Sequence, residues 1–159
     1  MHSTQKLLLF HHLSIIAGLF YYGFNIQYAL IILFGCIAWA YIVGHKGLHM
    51  YMAHTKYKDC IKSYLYTFGA LVTGVGSPLT FAATHRQHHA YHDTEKDPHS
   101  PEHIGWYNVW LMNYNSQYIS PRLVKDFLKS DFQKFMNRHW MQITIVMLVV
   151  LFLIDPRLV

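Results

Sequence analysis

Residues 7–44 have the sequence LLLFHHLSIIAGLFYYGFNIQYALIILFGCIAWAYIVG, in which there is no Asp, Glu, Lys or Arg. A membrane-spanning helix needs about 20 mostly apolar residues, so this stretch is too long for one span and suits two. The sequence GFNIQ at 23–27 is polar and contains glycine, which is typical of a turn. The sequence therefore predicts a helical hairpin with spans at about residues 7–24 and 28–48.

The composition of the whole chain fits this class of protein. Of its 159 residues, 53% are hydrophobic and 13% are charged, about half the charged share of a typical soluble domain. The apolar content excludes a disordered chain, and two cysteines without a CxxC motif argue against a disulfide scaffold. The net charge of +5 comes mostly from residues 46–138. This segregation predicts a membrane protein with a polar middle and no nucleic-acid partner.

Three further segments complete the predicted organisation. Residues 63–84 are uncharged but contain Gly74, Gly76 and Pro78, so they either span the membrane or form a re-entrant or interfacial segment. Ser120 and Pro121 resemble the start of a helix, and an amphipathic helix is expected through about residue 136. Residues 139–154 form a last apolar stretch, expected to be a third span.

The distribution of lysines predicts the orientation of the hairpin. Lys6 precedes it and Lys46, Lys56, Lys58 and Lys62 follow it, whereas the connecting turn is uncharged. The positive-inside rule therefore places both ends of the hairpin in the cytoplasm. We expect a multi-pass membrane protein in which residues 49–138 form a cytosolic and interfacial region.

The first group of candidate metal ligands lies in GHKGLHMYMAH at 44–54. His45 and His49 are four residues apart and share a helical face. His49 and His54 are five apart and would diverge by about 140° on a straight α-helix. They can bind one metal only if the helix ends between them or the metal lies beyond the helix terminus.

The second group is His85, His88, His89 and His92, in HRQHHAYHDTEKDPHSP at 85–101. Offsets of 0, 3, 4 and 7 predict one helical stripe of imidazoles, and neutral histidine is the commonest metal ligand. The acids that follow at once, Asp93, Glu95 and Asp97, are suited to accept the second ring N–H of such ligands.

A shared metal site decides between the alternatives for residues 63–84. If this segment spanned the membrane, the two histidine groups would lie about 30 Å apart. We therefore expect the segment to be re-entrant or interfacial. Imidazole ligands by themselves suit zinc, copper, iron or nickel.

The pattern HxxxxH at 49–54 with HRxHHxxxDxxxDPHSP at 85–101 resembles the integral-membrane fatty acid desaturases, particularly those of the acyl-CoA and Δ9 type. The resemblance runs from about residue 38 to the end of the chain. It includes GSP at 76–78, IGW at 104–106 and PRLVKDF at 121–127.

This resemblance implies an all-α membrane fold with a transmembrane hairpin, a histidine-rich cytosolic cap and one further C-terminal span. It also implies two iron ions on the cytoplasmic side, O₂ as co-substrate, a fatty acyl substrate (acyl-CoA or acyl-lipid), and an electron donor such as ferredoxin or cytochrome b5. The implied metal ligands are His49, His54, His85, His88 and His89. Asp93 and Asp97 match the family's acidic positions and would support these ligands, while His92 and His45 are possible extra partners.

The family's third motif, HxxHH, has no counterpart after Ile154. We therefore expect residues 1–159 to be a single partial domain, the N-terminal part of a desaturase. There are two alternative explanations for the missing third motif: the chain is one subunit of a split enzyme, or it is a degenerate, noncatalytic relative. A related membrane hydroxylase and a metal-binding membrane module without catalysis, such as a zinc protein, are the alternatives for its function.

Overall fold

The computed structural model describes residues 3–72, 75–114 and 119–158, which contain helices and no strands. Within these ranges there are seven α-helices: α1 (Ser3–Tyr22), α2 (Ile26–Trp39), α3 (Ile61–Val72), α4 (Pro78–Tyr91), α5 (Pro101–Ile104), α6 (Trp106–Trp110) and α7 (Asp131–Ile154). A π-helix, Ala40–Ala53, continues α2, and 3₁₀ turns lie at Pro121–Val124, Phe127–Lys129 and Pro156–Leu158. The predicted all-α fold is confirmed.

The predicted turn of the first hairpin lies between α1 and α2. Gly23 has φ 72°, in the left-handed region that favours glycine. The side chain of Asn25 accepts hydrogen bonds from the backbone N–H groups of Gln27 and Tyr28, which caps α2. The helices extend beyond the predicted spans, because their hydrogen bonding continues into the polar flanks at Ser3 and Ala53.

Two helices in the described part of the chain are long and apolar enough to cross a membrane. They are Ile26–Ala53, with a mean hydropathy of 2.1, and Asp131–Ile154, with 1.5. No residue of α2 is buried against the rest of the chain, which fits a helix surrounded by lipid. The chain is an all-α membrane protein. The span predicted at 7–24 lies in α1, which is not one of these two helices, and it stays a prediction.

Residues 63–84 do not form one continuous helix. After α3 ends at Val72, the chain turns at Gly76, whose φ is 88°. The Ser77 side chain then accepts a hydrogen bond from the N–H of Thr80, and Pro78 occupies the first turn of α4. The predicted break is therefore confirmed at Gly76 and Pro78, while Gly74 lies outside the described residues.

The predicted amphipathic helix at 121–136 is wrong. Its expected start is present, because the Ser120 side chain accepts from the N–H of Arg122. However, only two 3₁₀ turns follow before Ser130, whose side chain accepts from the N–H of Gln133 and starts a new helix. That helix, α7, continues without interruption from Asp131 to Ile154. The apolar residues of the expected face thus belong to separate elements.

The core joins the π-helix to α3, α4 and the 3₁₀ turns. Its most buried side chains include Met52 from the π-helix, Ala70 from α3, Ala82 from α4 and Phe127 from the second 3₁₀ turn. The ring of Tyr57 stacks on Phe127 with centroids 4.3 Å apart. This packing holds the end of the π-helix beside the middle of α4, where the two histidine groups lie.

Gly47 is required by the close approach of the π-helix to α3. A Cβ atom at this position would lie 2.5 Å from Cδ1 of Tyr66. We expect Gly47→Ala to lower the free energy of unfolding by about 1–3 kcal/mol, because the partly buried Tyr66 ring, which packs against the core, must shift. Gly44→Ala is the matched control, since its Cβ would have no neighbour within 4 Å. Unfolding in detergent measures both, and equal effects would contradict this role of Gly47.

Candidate metal centre

Four histidines from the two sequence groups meet at one point. Each of His49, His54, His85 and His89 offers a ring nitrogen, and these nitrogens all lie within 4.8 Å of one another. The Nε2 atom of His54 is 3.0 Å from that of His49 and 3.1 Å from that of His85. His89 Nε2 is 3.0 Å from His85 Nε2. This geometry brings residues of both sequence groups to one point, as a shared site requires.

The π-helix explains how His49 and His54 reach the same point. The N–H of His54 donates to the carbonyl of His49 at 3.1 Å, a hydrogen bond across five residues. In this register residues five apart lie about one turn apart and share a face. The helix also ends at Ala53, so His54 is its C-cap residue. The spacing of His49 and His54 required the helix to end between them, and the structure meets this condition.

The other two imidazoles come from α4, where His85 and His89 are one turn apart. Phe81 stacks on the ring of His85, with centroids 5.7 Å apart and planes 9° apart. Burial, followed by the neighbouring histidines, lowers the pKa of His85 to about 3. The same causes lower the pKa of His89. Both rings are therefore neutral at physiological pH and keep a lone pair available for a metal.

The rings of His85, His89, His88 and His92 follow one another along α4 and its C-cap, as the stripe predicts, but His88 and His92 lie in a second group with Asp97. Positions 85 and 89 face the π-helix, whereas positions 88 and 92 turn toward the loop that follows α4. His88 Nδ1–H donates to Asp97 Oδ2 at 2.8 Å, which leaves His88 Nε2 available to a metal. His92 Nε2 lies 2.8 Å from a carboxylate oxygen of Asp93.

Asp97 is held as an ionised acceptor within the fold. The residue is 1% exposed, and its oxygens accept from the N–H groups of His99 and Asp93, both at 3.1 Å, as well as from His88. Burial acts to raise the pKa of this carboxyl, but these hydrogen bonds outweigh it and lower the pKa. A buried carboxylate that fixes the tautomer of an adjacent histidine is the arrangement found around metal-binding imidazoles.

We expect Asp97→Asn to weaken metal binding at the second group by about 10–100-fold, because the amide no longer fixes the His88 ring with Nε2 unprotonated. Equilibrium dialysis of the complete enzyme against Fe(II) or Co(II), followed by metal analysis, measures this. Glu95→Gln is the matched control, since it removes an exposed charge from the same loop. Equal losses in both variants would contradict the role of Asp97.

The remaining candidates lie around these groups. His45 Nδ1 is 3.3 Å from His49 Nδ1, but His45 is exposed and lies outside the group of four. Asp93 accepts from the hydroxyl of Ser100 at 3.3 Å, in addition to its contact with His92. The ring of His99 packs on His88 with centroids 4.2 Å apart.

Arg86 is a central residue that the sequence reasoning did not assign. Its guanidinium donates to both carboxylate oxygens of Asp126, at 2.7 and 3.0 Å. It also donates to four backbone carbonyls, those of Met52, Ala53, Thr55 and Leu123. Arg86 thus joins the end of the π-helix, α4 and the first 3₁₀ turn. The available signals were the arginine of HRxHH and the aspartate of PRLVKDF.

Asp126 completes this connection. Besides Arg86, its carboxylate accepts from the N–H of Tyr57 at 2.6 Å. Burial acts to raise the pKa of Asp126, whereas the bonds from Arg86 and Tyr57 lower it, and the net direction is down. The pair is mostly buried, with side-chain exposures of 18% for Arg86 and 11% for Asp126. It fixes the backbone on both sides of His54.

These residues fit a metal by the chemistry of their donors. The four imidazoles of the first group present nitrogens at one point, and the two on α4, His85 and His89, are held neutral. The second group offers two imidazoles and a carboxylate, with one imidazole oriented by that carboxylate. An imidazole-rich set suits iron, zinc, copper or nickel rather than magnesium or calcium.

Comparisons with known proteins agree with this site. The fatty acid desaturase family model matches residues 15–155. Delta-9 acyl-lipid desaturase 2 of Arabidopsis thaliana is 32% identical over 108 residues, which are 62% of this chain and 35% of that protein. Acyl-CoA C20 Delta5-desaturase of Anemone leveillei is 29% identical, over 65% of this chain and 36% of that protein. The sn-1 stearoyl-lipid 9-desaturase of Anabaena variabilis is 26% identical, over 64% of this chain and 39% of that protein. No solved structure matches the chain.

Proposed function

This chain belongs to the fatty acid desaturase family, and we propose that it forms part of an enzyme that introduces a C=C bond into a fatty acyl chain with O₂. The observation that carries this proposal is the meeting of His49 and His54 with His85 and His89, two groups 31 residues apart at their closest. The chain spans only about a third of the length of the curated relatives it matches, 35% in two of them. The activity proposed is that of the whole enzyme.

We propose that the metal is iron and that the two groups hold one ion each. His49, His54, His85 and His89 would bind the first, and His88 would bind the second with support from His92 and Asp97. Bound iron would supply, with O₂, the oxidising power to remove hydrogen from an unactivated methylene, which no side chain possesses. The second group has two imidazoles, so its ion would need ligands from elsewhere in the enzyme.

The chain's own residues prepare this chemistry. Burial keeps His85 unprotonated, so that its nitrogen is free at neutral pH. Asp97 holds the proton of His88 on Nδ1 and directs Nε2 away from the carboxylate. The bonds of Arg86 to Ala53 and Thr55 fix the backbone on either side of His54. Metal ligands whose positions are fixed by the fold limit the reorganisation that the reacting centre must undergo.

The partners follow from the family and from the membrane helices. We propose an acyl substrate carried by CoA, a lipid or a carrier protein, and an electron donor such as ferredoxin or cytochrome b5. We further propose a multi-pass topology with both histidine groups on the cytoplasmic face. The exposed apolar helices α2 and α7 support contact with the bilayer.

The test is expression of the complete coding sequence in a host that lacks its own desaturase. We expect new unsaturated fatty acids, and their loss in the His89→Ala variant but not in His12→Ala, which changes an exposed histidine on α1. Hydroxylated products without new double bonds would overturn the proposal in favour of a hydroxylase. Purified protein with zinc and no iron would overturn it in favour of a noncatalytic metal protein.

A further inference from the structure

A pocket of about 590 Å³ has His54 in its lining. Residues 53–59, which follow from the end of the π-helix, form one wall, and residues of the 122–130 segment form the other. Arg86 and Asp126 lie between the two walls and hold them together. Two segments far apart in the sequence thus build one concavity.

The pocket is strongly basic. Five exposed cationic side chains line it and have no hydrogen bond or ion pair to any residue that the structure describes: Lys56, Lys58, Arg122, Lys125 and Lys129. Both acids of the lining are already engaged. Asp59 accepts from the hydroxyls of Tyr57 and Ser130, and Asp126 accepts from Arg86. The lining therefore carries six cations and two carboxylates, and of these charges only Arg86 and Asp126 are paired with each other.

Such a concentration of like charge raises the electrostatic potential and favours an anion. The volume lies in the range of small-ligand sites. A concave site surrounded by cationic side chains is better suited to bind a compact anion than to bind the flat surface of a partner protein. Lysines act as point charges for phosphate, and the arginine fork matches phosphate oxygens. We infer that this pocket binds a phosphate-bearing group.

This inference goes beyond the proposed reaction, because none of the five cations belongs to either histidine group. The phosphate could belong to a lipid head group or to a soluble phosphate ester, and both have the chemistry that the pocket recognises. In either case the bound group would lie next to His54 and hence at the edge of the metal centre.

The test uses the purified 159-residue chain in neutral detergent, titrated with inorganic pyrophosphate by calorimetry, and in nanodiscs of phosphatidylcholine with or without phosphatidic acid. The pocket variant is Lys56→Gln, Lys125→Gln and Lys129→Gln together. The control variant has the same net charge but carries Lys46→Gln, Lys96→Gln and Lys134→Gln, all outside the pocket. Circular dichroism and the unfolding midpoint establish that both variants are folded.

We expect the pocket variant to bind about 100-fold more weakly, roughly fivefold for each lysine, while the control stays within about twofold of the parent. Binding of pyrophosphate in detergent identifies a soluble ester as a competent ligand, and a response only to phosphatidic acid identifies the lipid. Equal weakening in both variants overturns the inference in favour of general charge attraction. Absence of phosphate binding also overturns it, and pocket-dependent binding of an acidic ferredoxin in that case assigns the surface to a protein.

Discussion

Replacing Arg86 with methionine is expected to lower the free energy of unfolding by about 3–5 kcal/mol, the cost of breaking a buried ion pair by removing one partner. Methionine keeps much of the arginine's apolar length but provides no donor. Asp126 would stay charged in a mostly buried position, and four backbone carbonyls would lose their hydrogen bonds. Because two of these carbonyls flank His54, metal affinity should fall with stability.

Chemical unfolding of the metal-free chain in detergent measures this effect. Arg122→Met is the matched control, since Arg122 is exposed and its side chain has no partner in the described part of the chain; we expect a change within about 0.5 kcal/mol. The double variant Arg86→Met with Asp126→Leu should recover part of the loss, because the uncompensated charge is gone. A loss in Arg86→Met no larger than in Arg122→Met would show that the buried pair does not hold the site together.

The second large effect is expected for His85→Ala in the first histidine group. His85 is the member whose Nε2 lies within 3.1 Å of both His54 and His89, and it is the one most shielded by Phe81. Its removal eliminates a proposed metal ligand. The resulting loss of metal affinity should exceed the tenfold to hundredfold loss that follows removal of an outer hydrogen-bond partner. We expect affinity for the first metal to fall by at least about 100-fold.

Dialysis against Co(II) gives a readout independent of activity, because the visible absorption of the ion reports the number and geometry of its ligands. His12→Ala is the control, since His12 is exposed and its ring nitrogen hydrogen-bonds to the carbonyl of Leu8 on its own helix. We expect the parent chain and the control to give the same spectrum and His85→Ala to lose it. An unchanged spectrum in His85→Ala would remove this residue from the metal site.

Much of the fold could be predicted because the physical signals were local. The charge-free stretch and its polar break predicted two helices with a turn between them, and α1 and α2 are joined by a turn at Gly23. The break at Gly76 and Pro78 was predictable because these residues end one helix and start another. The prediction of one helix at 121–136 was wrong because it followed the apolar periodicity and did not include the helix cap at Ser130. Ser130 caps a new helix with its side chain, and only the order of caps decides where one helix ends and the next begins.

The meeting of the two histidine groups could be predicted, but their detailed arrangement could not. Residue types and the need for a shared metal predicted that histidines of both groups come together. The sorting of His85 and His89 from His88 depends on which face of α4 the π-helix contacts, and that contact is tertiary. The role of Arg86 could not be predicted either, because its hydrogen-bond acceptors lie far from it in the sequence, at residues 52–55 and 123–126. A single charged residue in a motif does not reveal its partners.

The π-helical register at 40–53 also changes how histidine spacing should be compared between proteins. Aligned against a metal site built on an ordinary α-helix, an HxxxxH motif differs from HxxxH by one inserted residue, and the wider hydrogen-bonding register absorbs that insertion. The two spacings are then alternative solutions to the same coordination geometry. For the designer of a helical metal site, shortening this motif by one residue requires restoring the α-helical register in the same step.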